Sequence, residues 1–198
     1  MAGLKIYGSP QSRAARVLWC ARECGVPFEQ VTLDMKAIKD PEFLKLNPNG
    51  KMPAMQDGEL VLFESMAINL YLARKYGGAL WPSSAEGEGL AFQWSFWGMT
   101  EVEKHLLTIV IDQFMTPPDK RNPKAVEDAK AAVAKPLAVL EAALTGRQFL
   151  TGDTFTIADL NLASVMSWAK LVKLEMPTCP NVANWLDRCL SRPAFRGK

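Results

Sequence analysis

Pro48-Asn49-Gly50-Lys51-Met52-Pro53-Ala54-Met55-Gln56-Asp57-Gly58-Glu59-Leu60-Val61-Leu62-Phe63-Glu64-Ser65-Met66-Ala67-Ile68 holds two short apolar runs, Met52 to Met55 and Leu60 to Phe63, on either side of Asp57-Gly58. Asp-Gly supplies the positive φ angles of a tight turn, so the spacing predicts an antiparallel hairpin. Past Glu64-Ser65 the apolar positions of Met66 to Ala73 recur at three and four residues, which predicts a helix with Ser65 as its N-cap. First-turn N–H groups lack internal partners and carry partial positive charge, so a carboxylate can dock where this helix starts, with the Ser65 hydroxyl beside it. Pro53, at the start of a strand, does little damage to the ladder there. A cis bond before it would turn the Met52 N–H and C=O outward toward a peptide-like ligand.

Upstream, Leu4-Lys5-Ile6-Tyr7 reads as a strand ended by Gly8-Ser9-Pro10, and from Ser12 the pattern is helical up to Gly25. Phe28 to Leu33 is a second strand, so the first three elements form a parallel βαβ unit with a right-handed crossover. Met35 to Leu46 is a weaker helix interrupted by Asp40-Pro41. With the hairpin and its helix the order is βαβαββα, which fits a thioredoxin-like domain over residues 1–76.

Gly77 to Ala85 is rich in turn formers and is expected to be a linker. Residues 86–198 are expected to be all α, because after the linker no strand pattern competes with helix. Glu86 to Met115 and Pro123 to Leu144 are long helical stretches separated by Thr116-Pro117-Pro118. Thr156-Ile157-Ala158-Asp159 is a capping box with Asp in the Glu position, and Phe155 and Leu160 are placed as a hydrophobic staple across it. Asn181 to Ser191 is a final amphipathic helix.

Of 198 residues, 22% are charged, and the formal net charge is only +2, so no basic field points to nucleic acid and small-molecule partners are favoured. No apolar run reaches membrane-spanning length and no cleavable leader is evident, so a cytoplasmic location is expected and membrane partners are not. Cys20, Cys24, Cys179 and Cys189 have no metal-ligand spacing and are expected to be buried, reduced thiols; no metal is anticipated.

Asn47-Pro48-Asn49-Gly50-Lys51-Met52-Pro53-Ala54, followed at this interval by Glu64-Ser65-Met66-Ala67-Ile68, resembles the glutathione-binding segment of the soluble glutathione transferases. The run from Thr156 to Asp159 is similar to the N-capping box of that family's buried C-terminal-domain helix, so the likeness covers both domains. The resemblance implies a cis proline at Pro53, Met52 presenting its backbone to the tripeptide, and Glu64 and Ser65 holding the γ-glutamyl end. Lys39 and Lys51 would meet the glycyl carboxylate. Glutathione is then a co-substrate, and no other cofactor is implied.

Free thiols have a pKa of about 8.5, so an enzyme using glutathione must favour its thiolate, and a hydroxyl at a helix N-terminus does so. Tyr7-Gly8-Ser9-Pro10-Gln11-Ser12 offers three. The opening from Met1 to Ser12 with Arg16-Val17 resembles the phi class, whose catalytic serine falls on Ser12, although the interval is one residue shorter than the phi pattern. Ser12-Arg13-Ala14 also resembles the theta class, whose serine would fall on Ser9. Tyr7 corresponds loosely to the tyrosine of the alpha, mu and pi classes. No cysteine lies between Tyr7 and Ser12, which disfavours the mixed-disulfide chemistry of omega and glutaredoxin-like relatives.

Phe92, Trp94, Phe96, Trp97, Met99, Phe114 and Met115 are expected to divide among core, dimer face and electrophile pocket. His105, the only histidine, has no role in this chemistry. The implied activity is conjugation of glutathione to small hydrophobic electrophiles by a homodimer, with peroxidase activity as an extension. The alternative is a carrier or scaffold of the same fold without catalysis.

Overall fold

The computed structural model describes residues 3–197; Met1 and Ala2 of the quoted opening, and Lys198, lie outside the described residues. Two compact units are present, one running to Trp81 and taking in the tail from Pro193, the other spanning Pro82–Arg192.

The first unit is a four-stranded sheet in the order β2-β1-β3-β4. Its strands are β1 (Leu4–Tyr7), β2 (Phe28–Val31), β3 (Ala54–Asp57) and β4 (Leu60–Phe63). Strand β1 pairs parallel with β2 and antiparallel with β3, and β3 pairs antiparallel with β4. Helix α1 (Ala14–Glu23) makes the crossover between the parallel strands. The weak helical stretch resolves into a 3₁₀ turn (Ala37–Lys39) and α2 (Pro41–Leu46), with Pro41 in the first helical turn, where its missing N–H costs nothing. Helix α3 (Ser65–Tyr76) packs on α1. Ile6, Val17, Leu18, Ile68 and Leu72 are buried between these layers. Ile38, Phe43 and Ala54 form a second cluster, against which Tyr7, Leu33, Leu46 and Met52 pack.

Two local expectations are corrected. Asp57 pairs with Leu60, so the hairpin loop is Gly58-Glu59, with positive φ at Gly58, and Asp57 belongs to the strand. The Asp57 carboxylate accepts hydrogen bonds from Tyr71 (2.8 Å), Lys75 (2.7 Å) and Tyr76 (2.7 Å), tying the hairpin end to α3. Ser65 is the first helical residue and not the cap; the N-cap is Glu64, at φ 72° and ψ 111°. One residue separates β4 from α3, and the reversal it must make forces that backbone conformation.

The interval expected to be a linker is mostly part of the first unit. It holds a 3₁₀ turn (Gly78–Leu80) with Leu80 buried, and the Arg74 guanidinium sits over the Trp81 ring. The tail, expected to lie with the helical domain, packs on the first unit instead, Phe195 meeting Trp19 edge-on at 4.9 Å.

In the second unit the stretch 85–115 is helical throughout. It comprises α4 (Ala85–Trp97) and α5 (Lys104–Val110), joined by a π-helical segment (Gly98–Glu103) and followed by another (Ile111–Met115). Helices α6 (Pro123–Ala143), α7 (Ile157–Leu171) and α8 (Pro180–Leu190) complete it. Every residue of α7 from Ile157 to Met166 is buried, as a central helix requires. Thr156 and Asp159 form the expected capping box, and Asp159 goes further. Its carboxylate also accepts from the Leu150 N–H (2.8 Å) and the Trp185 indole (2.9 Å). The Glu141 carboxylate accepts from the Asn181 and Val182 N–H groups at the start of α8, a cap from a distant helix that no local pattern announces.

Candidate functional site

At the N-terminal end of α1 the loop 8–13 is held by its own backbone and hydroxyls. Gly8 donates its N–H to the Val31 carbonyl (2.9 Å). Its φ is +149°, and a Cβ there would lie 2.6 Å from Ala14 Cβ and 3.4 Å from Met52 Cβ, so only glycine lets the loop close against the 47–53 segment. Ser12 Oγ donates to the Ser9 carbonyl (2.7 Å) and accepts from the N–H of Ala14, the first residue of α1 (3.1 Å), while the N-cap position itself is held by Arg13. Ser9 Oγ donates to Gln11 Oε1 and accepts from the Gln11 N–H (3.2 Å). The Ser9 N–H donates to Met52 Sδ (3.3 Å). Helix α1 has no acidic residue in its first turn or at its N-cap, Arg13, so the positive end of its dipole is open to an outside anion, whereas α3 has the acidic Glu64 as its N-cap.

Tyr7 is committed differently. Its ring packs on the Ile38, Phe43 and Ala54 cluster and its hydroxyl donates to Gln56 Oε1 at 3.3 Å.

The Met52–Pro53 bond is cis, and Pro53 is buried. Asn47, also buried, braces the loop before it: its amide donates to the Lys51 carbonyl (2.7 Å) and its Oδ1 accepts from the Asn49 N–H (3.1 Å). Asn47 opens the run that resembles the family's binding segment, but nothing in the local spacing announces this bracing role. Gly50 approaches the Ile38 carbonyl, bringing the loop that carries Lys51 alongside the turn that carries Lys39. Both lysines are exposed, and neither forms an ion pair among the described residues. Glu64 is exposed at the start of α3, and Ser65 is buried one residue on.

The first unit therefore offers a hydroxyl-lined helix start, a cis-proline loop and a second helix start with an adjoining hydroxyl. Residues 2–74 match the family model for the glutathione S-transferase N-terminal domain, and residues 99–193 match that for the C-terminal domain. The chain belongs to the glutathione S-transferase family. This transferase is 38% identical to glutathione S-transferase 3 of Zea mays, over 99% of its own length and 93% of the relative's. It is 31% identical to GstB of Escherichia coli K12, over 91% and 89% of the two chains. Among solved structures it is similar to the theta class enzyme of Xanthomonas axonopodis pv. citri with glutathione bound, at TM-score 0.92 and 30% identity, covering 100% of this chain and 97% of that one. The carrier alternative gains nothing from these relatives, each named as a transferase.

The aromatic cluster of the second unit divides by exposure. Trp94 is buried in the core and meets the half-buried Trp97 edge-on at 5.1 Å. Phe92 and Phe96, one turn apart on α4, are exposed. Ile111, Phe114 and Met115 form an apolar patch at the end of the long helix, with Met115 71% exposed. None of the four cysteines is in a disulfide, and Cys24, the C-cap residue of α1, is only half-buried, contrary to expectation.

Proposed function

We propose that this glutathione transferase holds the tripeptide on its first unit and ionises the thiol with the Ser12 hydroxyl. The backbone of Met52, beside Pro53, would pair with the cysteinyl part of glutathione. Glu64 and Ser65 would receive the γ-glutamyl end, and Lys39 and Lys51 the glycyl carboxylate. The observation that carries this reading is the hydrogen bond from the Ser9 N–H to Met52 Sδ, because it docks the hydroxyl loop directly on the cis-proline segment.

The Ser12 hydroxyl donates to the Ser9 carbonyl. On binding, a thiolate at the positive end of α1 is the stronger acceptor, and the hydroxyl turns to it. With its proton released to solvent, the thiolate then attacks an electrophilic carbon, either expelling a leaving group with its electron pair or adding to an activated double bond whose carbanion takes a proton from water.

Apolar electrophiles are favoured by the exposed Ile111, Phe114 and Met115 patch. A homodimer is favoured by the exposed Phe92 and Phe96. A cytoplasmic location is favoured by four cysteines that form no disulfide; among the described residues no helix is long and apolar enough to cross a membrane.

Single-turnover and steady-state kinetics with 1-chloro-2,4-dinitrobenzene test the assignment. Ser12→Ala is expected to lower kcat by about a hundredfold, the loss typical of one positioned donor to a developing charge, with glutathione affinity nearly unchanged. Full activity in Ser12→Ala with an inactive Ser9→Ala would transfer the role to Ser9. Inactivity of Tyr7→Phe alone would transfer it to Tyr7.

A further inference from the structure

We infer that the Met52 side chain, and not only its backbone, is a positioning group for thiol activation: its sulfur fixes the Ser9 peptide from which the activating hydroxyl is aimed. The inference rests on the reading of loop 8–12 as the thiol-activating segment.

The Ser9 backbone is held on both sides of its Cα. Its N–H is given to Met52 Sδ at 3.3 Å, and its carbonyl receives both the Ser12 N–H at 2.9 Å and the Ser12 hydroxyl at 2.7 Å. A shift of Ser9 therefore moves Ser12 Oγ with it, and moves Ser9's own hydroxyl directly. Met52 is well placed to anchor that peptide. Its stem packs on the Ile38, Phe43 and Ala54 cluster, and Gly8 sits against its Cβ, so the sulfur is held from below. A thioether accepts only weakly, and its advantage here is shape: an unbranched chain fills the gap under the loop and still offers a lone pair to an N–H that faces protein. A branched apolar residue would fill similar volume and leave that N–H without an acceptor. The same peptide hydrogen bond serves whichever serine acts.

Two variants of the full-length protein separate the sulfur's acceptor role from packing. Met52→Leu keeps the apolar volume without an acceptor, and Met52→Gln restores an acceptor on a chain of similar length. The readouts are thiolate absorbance of bound glutathione against pH, kcat, calorimetric glutathione affinity and Tm. For Met52→Leu we expect a higher pKa of the bound thiol and a kcat reduced about three- to tenfold, the range of a single neutral hydrogen bond, with glutathione affinity within about twofold. Met52→Gln is expected to recover at least half of the kcat loss. A Met52→Leu protein that matches the native in thiol pKa and kcat overturns the inference alone, and so does an equal loss in both variants. Absence of thiolate in the native protein saturated with glutathione overturns the reading of the loop and this inference with it.

Discussion

Glu64 carries an acidic side chain on a backbone that glycine would adopt more easily, at φ 72° and ψ 111°. Such a residue is retained when its side chain does something the fold does not need. Glu64→Gly is therefore expected to keep a Tm at or above the native value while glutathione affinity falls about tenfold, the loss of one charge-assisted contact. Differential scanning fluorimetry and calorimetry on the same sample check both halves. Gly8 is the opposite case. A methyl group there would collide with Ala14 Cβ, so Gly8→Ala is expected to destabilise the protein by about 1–3 kcal/mol and to displace the serine loop. Loss of activity exceeding the loss of folded protein at low temperature is the outcome to look for.

Between neighbouring elements, two carboxylates make the joins. Burial works against Asp57, yet the bonds from Lys75, Tyr76 and Tyr71, with the Lys75 charge, hold its carboxyl below the ordinary range. A depressed folded pKa contributes stability that is present above the unfolded value, about 3.9, and is lost as pH falls through the folded value. Asp57→Asn should thus be less stable than the native protein at pH 7, by about 1–3 kcal/mol from weakened charged hydrogen bonds, and the gap should close toward pH 3. Urea unfolding at several pH values measures it.

Asp159 sits deeper. Burial drives its carboxyl upward against hydrogen bonds from Leu150, Trp185 and Thr156. Asp159→Ala strands buried donors on three segments and is expected to cost about 3–5 kcal/mol, visible as a Tm lower by roughly 10 °C. Its capping role is legible from Thr156-Ile157-Ala158-Asp159. Its bond to Trp185 is not, because that partner lies 26 residues away on another helix.

Across the molecule, the order of strands and helices, the hairpin and the long helical stretches can be read from periodicity and turn residues, since these report on neighbours within one or two turns of chain. The division between the units cannot, and the tail shows why. Residues beyond Pro193 follow a helix of the second unit yet rejoin the first through Phe195 and Trp19. Phe195→Ala should lower stability by about 1–2 kcal/mol through lost aromatic burial, with the change in near-ultraviolet dichroism expected of Trp19. For the proposed homodimer, Phe92→Ser with Phe96→Ser should shift sedimentation from dimer to monomer at micromolar concentration.

The amino-acid order alone determined the family and the βαβαββα frame followed by helices, and it put forward a short set of candidate residues for glutathione. All of these are encoded in local spacing or in motifs with a fixed interval. Tertiary structure decided where the candidates point: Tyr7 toward Gln56, Ser12 toward Ser9, Met52 under the serine loop, and Glu64 rather than Ser65 at the head of α3. The Tyr7 and Met52 contacts join segments more than forty residues apart, and the Ser12 and Glu64 choices turn on backbone geometry at a helix start, neither of which spacing along a chain expresses.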